Sequence, residues 1–267
     1  MVRMARIYPL SAAVPLGTAS GCRGWKTFRN PEFGSATAAF AENRTLVATR
    51  LRPVNMLQYQ TLPVTPFQQN CSIVWCDQTM EGAVIDPGGD LALIRAAADR
   101  LQVRLTQILL THAHIDHAGG TATLAHDLAL PIVGPHPGDQ FWIDALPQQA
   151  RQFRFPQAKS FTPTRWLHDG DTVQVGHSVL GVRHCPGHTP GHVVFHSAEA
   201  GRAFVGDVLF AGSIGRTDLP GGDHATLVDS ITQRLWPMGD ETVFIPGHGP
   251  QSTFGRERAQ NPCVQVT

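Results

Sequence analysis

No stretch of the 267-residue chain approaches the roughly 18 uninterrupted apolar residues that a membrane-crossing helix requires. Charge is scarce as well. Only 16% of residues are Asp, Glu, Lys or Arg and the formal net charge is zero, so composition points to neither a nucleic acid nor a membrane surface as partner. The five cysteines (Cys22, Cys71, Cys76, Cys185, Cys263) form no CxxC pair, and their odd number argues against a disulfide framework. A reducing, cytoplasmic setting is the natural expectation. What remains, 42% apolar residues over this length, is globular composition with ample material for a buried core.

The zero net charge conceals two unlike parts. Residues 1–55 hold eight Arg or Lys against two acids, while 56–267 hold 13 basic and 19 acidic residues. None of the 13 histidines falls in the first part, which shows no sustained helical or strand periodicity. Its Arg-rich, acid-poor character suits an organellar transit peptide. The basic start and small residues also resemble a secretory signal, although Pro9 and Pro15 interrupt the apolar segment. A third reading, an upstream extension or misassigned start, is favoured because Met56 directly precedes the first strand-like run. The expected division is therefore a poorly structured segment over 1–55 and one folded domain over 56–267.

Within that domain short apolar runs alternate with amphipathic ones. "LQYQTLPV", "NCSIVWC" and "GAVID" read as strands, with Cys71 and Cys76 buried in the second. "DLALIRAAADRL" carries Leu91, Ile94, Ala98 and Leu101 at helical spacing, with Asp90 placed to cap it. "QILLT" is a strand, "AGGTATLAHDLAL" a helix and "PIVG" a strand; "TVQV", "HSVLGVRHC", "HVVFHS", "RAFVG" and "TVFIPG" are further strands. "HATLVDSITQRLWPM" and "TFGRERAQN" are the last helices, Arg256, Glu257 and Arg258 forming a solvated face of the latter. Meandering strands, helical crossovers and the same pattern again suit an α/β fold of two stacked mixed sheets with helices outside, an αββα sandwich.

The polar residues concentrate at strand ends. "THAHIDH" places His112, His114, Asp116 and His117 just beyond "QILL". Loop histidines are often merely solvated, yet four candidate ligands in six residues suit a borderline divalent cation such as zinc. One loop cannot complete a site, and other strand ends provide more. His188 in "CPGHTPGH", Asp207 in "VGDVLF" and His248 in "IPGHG" each follow Gly or Pro-Gly, which permits the tight turn a ligand-bearing loop needs. Together these are seven candidate ligands, the number two adjacent cations require.

These four motifs, in this order over about residues 57–262, resemble the metallo-β-lactamase superfamily, and within it the glyoxalase II-like hydrolases. The resemblance implies an αββα sandwich with the metals at one edge of the sheets. It also implies His112, His114 and His188 on one metal, Asp116, His117 and His248 on the other, and Asp207 bridging both. Asp86 in "VIDPGG" falls where the family has an aspartate that orients a ligating imidazole; it equally suits a strand-ending turn, and both can hold. The family's true lactamases commonly carry Cys where Asp207 stands, its nucleases carry a large insertion, and its flavin-linked members append a flavin domain.

The implied activity is hydrolysis of a small thioester such as S-lactoylglutathione by a metal-activated hydroxide, with Asp116 orienting the nucleophile and carrying a proton to the leaving thiolate. The implied cofactors are two divalent ions, zinc first, with iron or manganese as alternatives. Arg216 stands where the family has a glutathione-binding lysine and could clamp a substrate carboxylate, or could instead brace its loop by pairing with Asp218 or Asp223. Asp218 replaces a tyrosine, and the family's C-terminal glutathione-binding helical domain is not expected here. A rival reading is a persulfide dioxygenase with one iron at His112, His188 and Asp207. A metal-stabilised binding protein is disfavoured because all seven ligands are present. His184, His192 and His196 are expected in supporting or packing roles, and His126, His136, His168, His177 and His224 at the surface. Trp75, Trp142, Trp166 and Trp236 are expected to pack in the core or a groove. The sequence carries no signal of oligomeric state.

Overall fold

The computed structural model of the chain describes residues 57–155 and 158–264. The extension 1–55 with its three readings, Met56 and Cys22 lie outside them.

The first sheet collects β1 (Leu57–Val64), β2 (Gln69–Cys76), β3 (Glu81–Ile85), β4 and β5 in that spatial order. The crossover helix α1 (Leu91–Leu101) leads to β4 (Arg104–Leu109), which runs parallel to β3. The short α2 (Ile115–Ala118) and α3 (Thr121–Leu128) lead to β5 (Ile132–Val133), parallel to β4. Next come α4 (Gln140–Asp144) and α5 (Leu146–Phe153). The second sheet is entered through β6 (Thr172–Val175), β7 (Ser178–His184), β8 (Val193–Ser197) and β9 (Arg202–Gly206). A two-stranded hairpin, β10 (Leu209–Phe210) and β11 (Ser213–Ile214), follows. The helix α6 (His224–Ser230), β12 (Val243–Pro246), β13 (Ser252–Thr253) and α7 (Phe254–Gln260) close the chain. Spatial order in this sheet is β13-β12-β9-β8-β7-β6, with β12 parallel to β9 and the other pairs antiparallel.

Alternation along the strands builds three apolar layers, because neighbouring side chains in a strand face opposite ways. On β2, Ile73 joins the core under the first helical layer and Val74 the core between the sheets. Ile108 and Leu110 likewise face the helices while Leu109 faces inward. In the second sheet Phe195 and Phe204 enter the shared core, whereas Val194, Ala203 and Val205 pack beneath α6 with Leu227, Ile231 and Leu235. This is the αββα sandwich. Its central strands are buried on both faces, which is why they read as continuous apolar runs rather than alternating ones.

Several local expectations change. Asp90 does not cap α1: its carboxylate accepts the Thr65 N–H at 2.7 Å and so ties the loop after β1 to the helix start. The helix expected over 118–130 begins earlier and breaks into α2 and α3 at Gly119-Gly120. The helix expected over 224–238 is regular only as far as Ser230, then continues in π and 3₁₀ geometry; Pro237, which lacks an N–H, sits in that last turn. Glu257 is buried rather than solvated, unlike Arg256 and Arg258, and accepts from Gly212 N at 2.7 Å, from Asn261 Nδ2 at 3.0 Å and from the Ser252 hydroxyl. The carboxylate thereby fastens the β10–β11 hairpin to α7. His136 is half-buried, stacked on His184 with centroids 4.0 Å apart, while His126, His168, His177 and His224 are exposed as expected. Cys71, Cys76, Cys185 and Cys263 form no disulfide among the described residues, and the first three are buried. No helix among the described residues is long and apolar enough to cross a membrane.

Candidate metal centre

The chain leaves β4, β7, β9 and β12 at the same edge of the sandwich, and the segments that follow these strands carry the expected ligands. All seven come together there. One set of ligand atoms is offered by His112, His114 and His188 and another by Asp116, His117 and His248, each set lying within 4.8 Å of itself. Asp207 lies between them: its Oδ1 is 3.3 Å from His117 Nε2, and its Oδ2 is 3.6 Å from His188 Nε2 and 3.7 Å from His248 Nε2. Close backbone approach makes this possible. A Cβ on Gly88, in the turn after β3, would sit 1.5 Å from the Asp116 carbonyl oxygen, and one on Gly247 would sit 2.0 Å from Asp207 Oδ1.

Hydrogen bonds around the rim fix which nitrogen four of the five imidazoles turn inward. A neutral imidazole has one N–H and one lone pair, so an acceptor beside one nitrogen leaves the other bare. Asp86 Oδ2 sits 2.9 Å from His117 Nδ1, the Arg216 carbonyl 2.8 Å from His188 Nδ1 and the Phe67 carbonyl 3.2 Å from His248 Nδ1. Thr111 donates its hydroxyl to Asp86 Oδ2 at 2.6 Å, which makes its oxygen the acceptor for His112 Nδ1 at 3.1 Å. In the neutral rings the Nε2 of these four carries the lone pair and points into the site. His114 turns Nδ1 inward, 2.9 Å from His188 Nε2.

Asp86 also lies within reach of His112 and His117 as a candidate ligand, but its oxygens are already taken. They accept Thr111 N at 2.8 Å, Thr111 Oγ1 and His117 Nδ1. Its backbone, at φ 54°, also forms the turn after β3, with Gly88 N bonded to its carbonyl at 2.9 Å. One carboxylate thus contacts the His117 imidazole while its backbone makes the turn after β3.

The two halves of the site differ electrically. Burial, reinforced by neighbouring histidines, holds His112 well below the usual imidazole range and takes His114 down to about 3; burial also lowers His188. Those three are neutral donors at physiological pH. Burial opposes charge on His117 too, yet Asp207 and Asp116 outweigh it and hold this histidine well above its ordinary value. His248 is raised against its own burial by Asp116, and Asp207 is driven far down against burial chiefly by His117. A gathering of neutral lone pairs beside carboxylates that demand positive charge is the donor set of a divalent cation site. Nε2 of His112 is buried with no hydrogen-bond partner among the described residues, and Nε2 of His117 and Oδ1 of Asp207 face only each other at 3.3 Å, a costly state that a cation relieves.

Residues that the sequence patterns do not single out hold this arrangement. Asp139 is fully buried and accepts Ala113 N at 3.0 Å, Thr189 Oγ1 at 2.9 Å and Gly191 N at 2.6 Å. It thus clamps the loop of His112 and His114 to the loop of His188, and burial pushes its carboxyl up to about 6. Gln149 on α5 accepts Ile115 N at 3.0 Å and donates to the Trp142 carbonyl at 3.0 Å. His192 accepts the Asp207 N–H at 3.1 Å and stacks on His112, the supporting role expected of it. The available signal for α4 and α5 was Trp142, Ile143, Leu146 and Ala150, buried at helical spacing.

A groove of about 790 Å³ opens beside the centre. On one side α4 and α5 present Phe141, Trp142 and Phe153, joined by Phe67; on the other lie Phe210, Ile214, Arg216 and Leu219. Trp142 meets the His114 ring edge-on at 4.5 Å, the groove-packing role expected of it. Arg216 binds Asp218 through two hydrogen bonds of 2.7 Å, one of the two bracing pairs anticipated, and this bond draws Asp218 down to about 2.

A family model described as the metallo-beta-lactamase superfamily matches residues 64–248. Among curated relatives, hydroxyacylglutathione hydrolase GloC of Haemophilus influenzae is 41% identical over 209 residues, covering 78% of this chain and 98% of that protein. The crystal structure of the BLEG-1 B3 metallo-beta-lactamase is similar with a TM-score of 0.73 at 34% identity, covering 78% of this chain and 100% of that one. TTHA1623, crystallised in a di-iron-bound form, gives 0.69 at 37% identity, covering 76% and 98%.

Proposed function

This chain belongs to the metallo-beta-lactamase superfamily and is a hydrolytic enzyme, and from that premise we propose that it cleaves a small thioester such as S-lactoylglutathione. The observation that carries the reading is the seven-residue centre itself, with its inward lone pairs and central Asp207. Hydroxyacylglutathione hydrolase activity in a relative covered over 98% of its length supports the substrate class.

In this reading His112, His114 and His188 hold one divalent ion, Asp116, His117 and His248 a second, and Asp207 serves both; zinc suits the imidazole-rich set, with iron or manganese as alternatives. When bound, such a pair makes hydroxide available from water at neutral pH and takes up oxyanion charge. The rest falls to the chain's own groups. Asp86 keeps the His117 ring in the tautomer that exposes Nε2, and Thr111 does the same for His112. Asp116 is lowered by His117 and His248 against its own burial, so it enters the reaction ionised. It orients the attacking oxygen, accepts the proton that oxygen sheds, and delivers it to the departing sulfur. A C–O bond forms, the C–S bond breaks, and acid and thiol leave. No serine or cysteine nucleophile is required.

The acting unit is residues 56–267, with 1–55 outside it, working in the cytoplasm on a small molecule. A second reading, one iron held by His112, His188 and Asp207 acting on glutathione persulfide, draws on the proximity of His188 and Asp207. It gives no task to the paired His117 and His248. The test is the full chain, metal content measured, assayed on S-lactoylglutathione and glutathione persulfide side by side. Two metals and thioester cleavage support the proposal; one iron and oxygen uptake with the persulfide reject it.

A further inference from the structure

Glutathione carries two carboxylates and an ammonium, and the groove does little to meet them. Apart from the metal centre, Arg216 is the one ionised side chain among the described lining residues, and Asp218 already takes its Nε and one Nη2 donor, two of its five N–H groups. The opposite wall is aromatic. Phe67, Phe141 and Phe153 are 46%, 41% and 44% exposed, three of the six large apolar side chains most open to solvent among the described residues. They are also in ring contact. Phe153 meets Phe67 edge-on with centroids 6.1 Å apart, and Phe141 leans on Trp142 at 5.2 Å, which in turn touches His114. The Phe67 carbonyl holds His248, so this wall reaches the centre at two points.

Exposed aromatics gathered on one concave surface lose free energy to water that an apolar ligand group recovers. Ionised thiol arms gain nothing there, which leaves the acyl side of the scissile carbonyl as the occupant. Resting on the thioesterase reading, we infer that Phe67, Phe141, Trp142 and Phe153 form an acyl subsite, and that the enzyme prefers thioesters of apolar acyl groups, aromatic ones included, over the small polar lactoyl group. The reaction is unchanged: water adds to the carbonyl carbon, the C–S bond breaks and the thiol takes up the proton.

The test holds the thiol constant as glutathione and varies the acyl group through lactoyl, butyryl, hexanoyl and phenylacetyl, with kcat/KM measured on the metal-loaded full chain. The value rises about two- to fourfold for each methylene that reaches the wall, and phenylacetyl exceeds lactoyl by about tenfold or more. Phe153→Ala and Phe141→Ala each lower the phenylacetyl value about tenfold and the lactoyl value far less, with metal content retained. Val179→Ala, at an exposed site on β7 that does not line the groove, changes none of these values. Cleavage of every ester at one rate, or a preference for lactoyl, overturns the acyl subsite while leaving the thioesterase reading intact. Failure to cleave any thioester removes both.

Discussion

The two walls beside the reacting centre are built on different principles. On the metal side hydrogen bonds impose most orientations: Asp86 for Thr111 and His117, Asp139 for two loops, and main-chain carbonyls for His188 and His248. On the α4–α5 side Phe67, Phe141, Gln148, Gln152 and Phe153 end in solvent, and only Trp142 and Gln149 are buried against the centre. The first wall tolerates little displacement because ligand geometry is exacting; the second can be resurfaced without disturbing chemistry. A shared reaction with divergent substrates is the expected outcome of such a division.

The contrast breaks most sharply if residues on the fixed wall prove dispensable. His114→Ala or Asp207→Ala is expected to lower thioester turnover by about 10³-fold or more, with the far-ultraviolet circular dichroism spectrum retained. Asp139→Ala leaves three buried donors without an acceptor and is expected to cost roughly 3–5 kcal/mol in urea unfolding. The ionised form of Asp139 is the disfavoured one, its carboxyl being raised by burial to about 6 in the fold. Its raised pKa stabilises the fold fully below the unfolded value near 4, and that stabilisation fades as pH rises through about 6. Wild type should therefore lose up to about 3 kcal/mol relative to Asp139→Asn between pH 4 and 7, a difference read from paired unfolding curves. Asp86→Asn, which weakens the acceptor for His117 Nδ1, is expected to lower metal affinity about 10- to 100-fold in a chelator competition. The smallest effect sharpens the comparison from the other wall. Asp218→Ala removes an exposed ion pair and should shift stability by less than about 1 kcal/mol, while freeing Arg216 to lower KM for carboxylate-bearing thioesters by a few-fold.

What the sequence displayed follows the same division. Metal-capable side chains stand at strand ends bracketed by glycine and proline, so His112, His114, Asp116, His117, His188, Asp207 and His248 could be gathered from local pattern alone. Asp139 could not, because a buried carboxylate is defined by donors from residues 113, 189 and 191, remote in the chain. Glu257 misled for the same reason: between two arginines it looks solvated, yet Gly212, Ser252 and Asn261 converge on it. Asp90 looks like a helix cap and is taken instead by Thr65 N. The apolar spacing of α4 and α5, at Trp142, Ile143, Leu146 and Ala150, says nothing of what they face, which is a property of the assembled sandwich.

The most direct test is the number of metal ions bound per chain after reconstitution and removal of excess metal. The account predicts two ions for the wild type and a loss of stoichiometric binding in Asp207→Ala, whose carboxylate serves both sets. One ion or none in the wild type, or two retained without Asp207, would contradict it.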